Sequence, residues 1–332
     1  MALCYYVSSD LLHLVTEQFP DAIGVDFSKP VTDQLYAYLD RIPGTEARII
    51  LPDETSPDEV KRLTHEVVTA HRRVQLTLAT REQSWPLWFK NSLENYAAVV
   101  NRGVPIDTVD WSLKEKPCVI VGNGPSLAFT LTQLAQTRDR YSIFCVWHAL
   151  DKLRAHDIQP DAVIHIDKHP PLGIEKEVVL PAETAVIATP VSSGSFMAAF
   201  PHQPFYLLLS RENEGNIQWA TFLNHPAHKP AYGTVVVAAI QSALYLGHRK
   251  IILTGVDLCF PDESQLSASY QALKDQVRQV KNAMGQDCVT IPAFQSYKGV
   301  LEDLANEESS EATFYNASPG GLKLHGFEDW TF

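Results

Sequence analysis

The segment Cys118-Val119-Ile120-Val121-Gly122-Asn123-Gly124-Pro125-Ser126-Leu127 reads as a strand running into a glycine turn and then a helix. Four apolar residues in a row, without alternation, predict a strand buried on both faces, the pattern of a parallel sheet. Gly122 and Gly124 permit a tight turn and close approach of a ligand to the backbone. The following helix, through about Gln136, is expected to offer unpaired N–H groups and the positive end of its dipole, and a phosphate needs both. Asn123 could bond a ribose or phosphoryl oxygen. No Gly-Lys-Ser/Thr follows, so this is not a Walker loop. Ala128 and Phe129 after Leu127 leave Gly-x-Gly-x-x-Gly incomplete. The plainer alternative is a strand–helix turn capped by Ser126.

The same grammar continues outward. Ser142–Val146, Ala162–Ile166, Ala185–Ala188, Phe205–Leu209 and Lys250–Thr254 are short apolar runs separated by helical or loop segments. They predict a Rossmann-like, doubly wound, mostly parallel α/β sheet with right-handed crossovers and ligands beyond the carboxyl ends of its strands. Residues 1–84 read as a small α/β N-terminal domain, 85–116 as a connecting helix and linker, and 117–332 as the Rossmann-like domain. In the small domain Ala2–Val7, Arg48–Leu51 and Val74–Leu78 read as strands. Ser56-Pro57-Asp58-Glu59 starts a helix carrying Val60, Leu63, Val67 and Val68 on one face. Trp85, Trp88, Phe89, Leu93, Tyr96 and Val100 make a bulky helical stripe, expected to dock the small domain on the large one.

Candidate chemistry gathers at the predicted strand ends. Asp167 stands where Val163-Ile164-His165-Ile166 breaks into Lys168-His169-Pro170. In an extended strand His165, Asp167 and His169 would share a side, and two imidazoles around a carboxylate could bind metal or move protons. His165 falls early enough to be packed in the sheet, and Asp167 could merely close a turn. Thr234 can cap a helix opening at Tyr232-Gly233-Thr234, a second natural anion site. Asp257 ends the run Lys250–Val256, and with Asp167 it could share a magnesium ion or bond ribose hydroxyls. Phe314-Tyr315-Asn316-Ala317-Ser318-Pro319-Gly320-Gly321 is a strand followed by a flexible turn.

Composition narrows the class. The 332 residues are 45% apolar and 20% charged, an ordinary globular balance for about two domains. Twenty-seven Lys and Arg against 39 Asp and Glu give a net charge of −12, which argues against nucleic acid as the main partner. The five cysteines are scattered without a Cys-x-x-Cys pair, which points to a reducing compartment and no zinc ribbon. The start, MALCYYVSSD, lacks the basic region of a signal peptide, and no apolar run approaches the roughly 20 residues of a membrane span. A cytoplasmic protein is expected.

Four segments in order, CVIVGNGPSL, HALDKLRAHDIQPDAVIHID, YGTVVVAAIQSALYLGHRKIILTGVDLCF and FYNASPGGLKLHG, resemble the domain shared by motility accessory factor (Maf) flagellin glycosyltransferases and 6-hydroxymethylpterin pyrophosphokinase MptE-like proteins. WFKNSLENYAAVV, which precedes them, also looks like the Maf arrangement. The glycine loop is more distantly similar to that of bacterial sialyltransferases using CMP-sialic acid. The resemblance implies a nucleotide or nucleotide-sugar site. Gly122, Asn123, Gly124, Pro125 and Ser126 would form its loop. Gly233, Thr234, Asp257, Asn316, Gly320 and Gly321 would be further binding positions, with Asp167 at the family's Ile-Asp strand end. The chain ends at Phe332, before the long helical region of the flagellin-modifying members.

The expected function is a metal-independent glycosyltransferase with a CMP-activated nonulosonic acid donor of sialic, pseudaminic or legionaminic type. Asp167, His148 and His169 are its candidate catalytic groups, one histidine acting as general base. No cofactor is expected to be tightly bound, and the acceptor would be a glycan or a flagellin-like protein. Two alternatives stand beside it. One is an ATP- and magnesium-dependent pyrophosphokinase using Asp167 and Asp257, and the other is a non-catalytic nucleotide-binding homologue.

Overall fold

The computed structural model describes residues 2–332 apart from 16, 30, 36–41, 43–44, 175–177, 212, 230–233 and 267. Gly233 therefore lies outside the described residues. The chain divides into two compact units, Met1–Pro86 and Leu87–Phe332.

In the first unit β1 (Ala2–Ser8), α1 (Leu12–Val15), β2 (Ile23–Val25), α2 (Val31–Leu35) and β3 (Thr45–Ile50) are followed by α3 (Pro57–Glu94). The three strands pair in parallel in the order β2-β1-β3. Tyr6, Ile23, Val25, Leu35, Ile42, Val67 and Val74 build a core of their own. Val74–Leu78, expected as a strand, lies inside α3. Leu63, Val67, Ala70 and Val74 are all buried at intervals of four, three and four, so the helical period of the first turns runs straight through the short apolar run. No glycine or proline interrupts it before Pro86.

The second unit is built on a nine-stranded sheet. After α4 (Tyr96–Arg102) come β4 (Gly103–Pro105), β5 (Cys118–Val121), α5 (Leu127–Gln136), β6 (Ser142–Val146), α6 (Leu150–Arg154), β7 (Ala162–Ile164) and β8 (Ala185–Ala188). They are followed by α7 (Gly194–Ala198), β9 (Phe205–Leu207), α8 (Glu214–Phe222), α9 (Val235–Tyr245) and β10 (Lys250–Thr254). An antiparallel hairpin, β11 (Arg278–Lys281) and β12 (Asp287–Thr290), then leads to α10 (Pro292–Glu307), β13 (Thr313–Asn316) and β14 (Glu328–Asp329). The sheet order is β14-β13-β10-β5-β6-β7-β8-β9-β4, parallel at every pairing. β5 to β8 are buried at every residue, which is why their sequences do not alternate.

This order fixes where a ligand belongs. From β5 the chain walks through β6, β7, β8 and β9 to one side, then returns and adds β10 and β13 on the other. The direction reverses between β5 and β10, and open parallel sheets bind ligands in the crevice at that reversal.

Much of the bulky stripe along the helix is exposed. Phe89, Leu93 and Tyr96 are 55%, 62% and 53% exposed. Within the second unit the buried edge carries two polar residues, Asn91 and Asn95, in line with the apolar Val99. All five cysteines are free thiols and buried.

Candidate functional site

At the reversal, the turns after β5 and β10 press directly on one another. Gly122 N–H donates to Thr254 O over 2.8 Å, and Gly124 N–H to Gly255 O over 2.7 Å. A Cβ on Gly122 would stand 2.4 Å from Gly255 O. One on Gly124 would stand 2.5 Å from Asp257 Oδ2. Gly255 sits at φ +65° with Gly122 O against the place a side chain would take. The glycines thus make room for the neighbouring turn, whereas the sequence suggested that they make room for a ligand.

Asp257 locks the two turns together. It accepts from Ser126 N–H over 2.7 Å at Oδ2 and from the Ser126 hydroxyl at Oδ1. Burial pushes its carboxyl above the usual carboxylate range, opposed by the two Ser126 donors and the charge of Lys152. Asp257 was expected to face a cleft beside Asp167. It is instead only 4% exposed, and both oxygens are engaged, because the helix start supplies donors that its buried charge requires. Ser126 is correspondingly no side-chain cap.

The unpaired amides expected at this helix start are paired. Leu127, Ala128 and Phe129 N–H donate to Gly124, Pro125 and Ser126 carbonyls in tight local turns. What the loop turns outward is Asn123, which is exposed, and the Lys152 ammonium reaches Asn123 O at 3.3 Å. Lys152, on α6, had no signal in the sequence beyond an ordinary surface lysine.

Asn316, Gly320 and Gly321 come to the same place by way of β13. Asn316 Oδ1 accepts from Ser318 N–H, Ser318 Oγ accepts from Val256 N–H, and Leu322 N–H donates to Asp257 O. A Cβ on Gly321 would lie 2.9 Å from Asp257 Cα. This turn backs Asp257. Thr234 caps α9, accepting from Val236 N–H through its hydroxyl.

Asp167 follows β7 on the next part of the rim. The strand stops at Ile164, so the expected alternation does not reach His165, Asp167 and His169. His165 is buried against Phe196, its Nε2 donating to His169 O, while Asp167 and His169 are exposed. Asp167 Oδ1 accepts from His169 N–H over 2.9 Å, closing the turn. His148, after β6, is also exposed. Tyr297 of α10 is a neighbour that the sequence did not indicate. Burial raises its phenol pKa, and the Asp167 charge adds to the rise.

Two buried asparagines hold this rim. Asn91 Nδ2 donates to Lys168 O and Val191 O, and Asn95 Nδ2 to Pro190 O and Ser192 O, all at 2.8–3.0 Å. Ser193 N–H donates to Asp167 O, and Ser192 Oγ to His165 O. One helix edge therefore sets the loops after β7 and β8. A period-3.6 reading of Asn91 and Asn95 against Val99 could have found it.

The family described as 6-hydroxymethylpterin diphosphokinase MptE-like matches residues 90–263, more than half of the chain and the whole stretch from the asparagine edge to past β10. The chain belongs to the MptE-like family. Among solved structures, this MptE-like chain is similar to the MAf glycosyltransferase from Magnetospirillum magneticum AMB-1, with a TM-score of 0.61 and 16% identity. The match covers 99% of this chain and 54% of that one, so the chain spans about half of its length and shares its fold. No curated protein matches the sequence. No helix among the described residues is long and apolar enough to cross a membrane.

Two outcomes follow from this geometry. Asn95→Ala leaves the Pro190 and Ser192 carbonyls buried without donors and should lower stability by about 1–3 kcal/mol, read as a lower urea midpoint. A midpoint matching the parent would mean that the rim is held by other contacts. His165 has its pKa lowered by burial from 6.5 to about 4, so the unfolded chain takes up a proton across that range before the folded one does. Its contribution to stability is complete above pH 6.5 and lost as pH falls toward 4, by about 3 kcal/mol at most. His165→Leu should flatten the fall in melting temperature between pH 6.5 and 4. An equally steep fall would assign the acid sensitivity elsewhere.

Proposed function

We propose that the chain is a glycosyltransferase with a CMP-activated nonulosonic acid donor of sialic, pseudaminic or legionaminic type, bound at the β5–β10 reversal and transferring to a glycan or protein hydroxyl. The fold supports this reading, as the structural relative is described as a glycosyltransferase. The single observation that carries it against the pyrophosphokinase alternative is the state of Asp257. A pyrophosphokinase needs carboxylates to hold magnesium across the phosphates. Asp257 spends both oxygens on Ser126 and is buried, so Asp257 and Asp167 do not fit a shared ion.

A CMP leaving group develops negative charge at its phosphate. With the amides of residues 122, 124 and 126 turned inward, the groups placed to meet that charge are the Asn123 side chain and the Lys152 ammonium. The chain as a whole carries a net charge of −12, and Lys152 brings a positive charge to the loop. His148 or His169, both exposed on the rim, would take the proton from the acceptor hydroxyl. His165, buried and held below the usual imidazole range, is unsuited to that role. Asp167 would orient the acceptor or the ribose through the oxygen not used by His169 N–H.

Calorimetry with CMP and with ATP, each with EDTA or magnesium, separates the readings. CMP should bind with the same affinity in EDTA, and Lys152→Ala should weaken it roughly fivefold without changing the melting temperature. Strictly magnesium-dependent ATP binding, with none of CMP, would favour the pyrophosphokinase. Asp167→Asn keeps an oxygen for His169 N–H, so melting should be unchanged. Turnover or affinity should drop at least about tenfold if Asp167 meets substrate. Unchanged turnover would reduce it to a turn-closing residue.

A further inference from the structure

A second polar cluster lies at the far edge of the large sheet. Asp107 follows β4 in a 3-10 turn, and His225 and His228 follow α8. β4 is five strands from β5 in the sheet order, about 24 Å at ~4.8 Å per strand, so this cluster is separate from the loop at Gly122.

The three side chains converge on one point. His225 Nε2 lies 3.1 Å and His228 Nε2 3.5 Å from the same oxygen, Asp107 Oδ1, and the three atoms all lie within 4.8 Å of one another. His225 Nδ1 is 2.9 Å from Pro226 O. A carbonyl only accepts, so that nitrogen carries the ring proton, and in the neutral ring Nε2 is a lone pair 3.1 Å from a carboxylate oxygen. Two acceptors at 3.1 Å need a proton or a cation between them. A second proton on His225 would settle that pair alone. His228 Nε2 would still be buried without a hydrogen-bond partner. One cation settles all three.

We propose that Asp107, His225 and His228 form a binding site for a divalent transition-metal ion of the zinc type. Bonds of ~2.0–2.1 Å to such an ion put neighbouring ligand atoms about 3 Å apart or slightly more, in keeping with the 3.1 and 3.5 Å from the two imidazoles to Asp107 Oδ1. Two imidazoles and one carboxylate are donors that suit zinc and its neighbours rather than magnesium, which takes oxygen ligands. The hydrogen bond from His225 Nδ1 to a backbone carbonyl is the outer contact that commonly orients a metal-bound imidazole.

The scaffold holds these donors in place before any ion arrives. His228 N–H donates to Leu209 O and its carbonyl accepts from Arg211 N–H, while its ring stacks on Tyr245 at 4.2 Å. His225 N–H donates to Ala220 O at the end of α8. The side chains of Asp107 and His225 are 30% and 13% exposed, so one side of the cluster reaches solvent and can leave a coordination position for water or a small ligand.

The test uses the untagged full chain, stripped with a chelator and titrated with zinc chloride by calorimetry, with cobalt absorbance as a second readout of nitrogen and oxygen ligation. The wild type should take up one equivalent saturably and melt at a higher temperature with zinc present. His225→Ala and Asp107→Ala, both at positions that reach solvent, should keep their secondary structure by circular dichroism. Each should weaken zinc binding at least about tenfold. An exposed histidine elsewhere provides the control, and His156→Ala should change nothing. Absence of a saturable equivalent in the wild type would overturn the proposal, as would equal zinc affinity in the wild type and both cluster variants.

Discussion

The bond pair between Asp257 and Ser126 is the constraint on which the rest of the second unit depends. A carboxylate buried at the end of β10 carries a desolvation cost that only strong donors can offset. The start of α5 supplies two, an amide and a hydroxyl on one residue. Their reach holds β5 and β10 in register at the place where the chain reverses its walk across the sheet. Gly122, Gly124 and Gly255 follow from that closeness, since a Cβ on any of them would stand within 3 Å of the opposing turn. The Asn316–Gly321 turn then closes over the same aspartate. An internal carboxylate thus takes the position at the helix start that a phosphate occupies in many nucleotide-binding loops. In the proposed function, an outside anion would be met by Asn123 and Lys152 instead.

The second organising device is the edge formed by Asn91 and Asn95. Loops carry backbone carbonyls that must find donors once buried. Here two side-chain amides serve four carbonyls on the loops after β7 and β8. The rim bearing Asp167 and His169 is therefore tied to a helix as well as to the sheet. The aromatic side chains that dominate the same helix in sequence lie mostly on its other, exposed face. Residue size was a poor guide to burial here, because satisfying buried carbonyls needed donors and apolar bulk supplies none.

Much of the architecture was legible. β5, β6, β8 and β10 were readable to the residue because strands buried on both faces cannot alternate, and the helix after Ser126 announced itself by its glycine turn. The short edge elements β2, β4 and β14 were not legible. Two or three residues carry no periodicity, and they are strands only because a neighbour pairs with them. Val74–Leu78 failed for the opposite reason, as a short apolar run reads alike in a strand and in a helix until its burial pattern is known. The candidate site was half legible. Asp167, His148 and His169 stand exposed on the rim, whereas the role expected of Asp257 as a ligand group inverted into support. Nothing local distinguishes a strand-end carboxylate facing a cleft from one facing a serine 131 positions away.

The sequence by itself determined the fold class and the family, because continuous apolar strands, glycine turns and helix starts are local properties of the chain. The tertiary structure alone decided which polar groups meet. Lys152 comes to the loop by the packing of α6, Tyr297 to Asp167 by that of α10, and Asp107 to His225 and His228 across the far sheet edge. These pairings join positions 29 to 130 residues apart, and no spacing rule connects them. Hydrogen bonds and charges act over a few ångströms of space, and only the folded sheet brings such distant residues within that range.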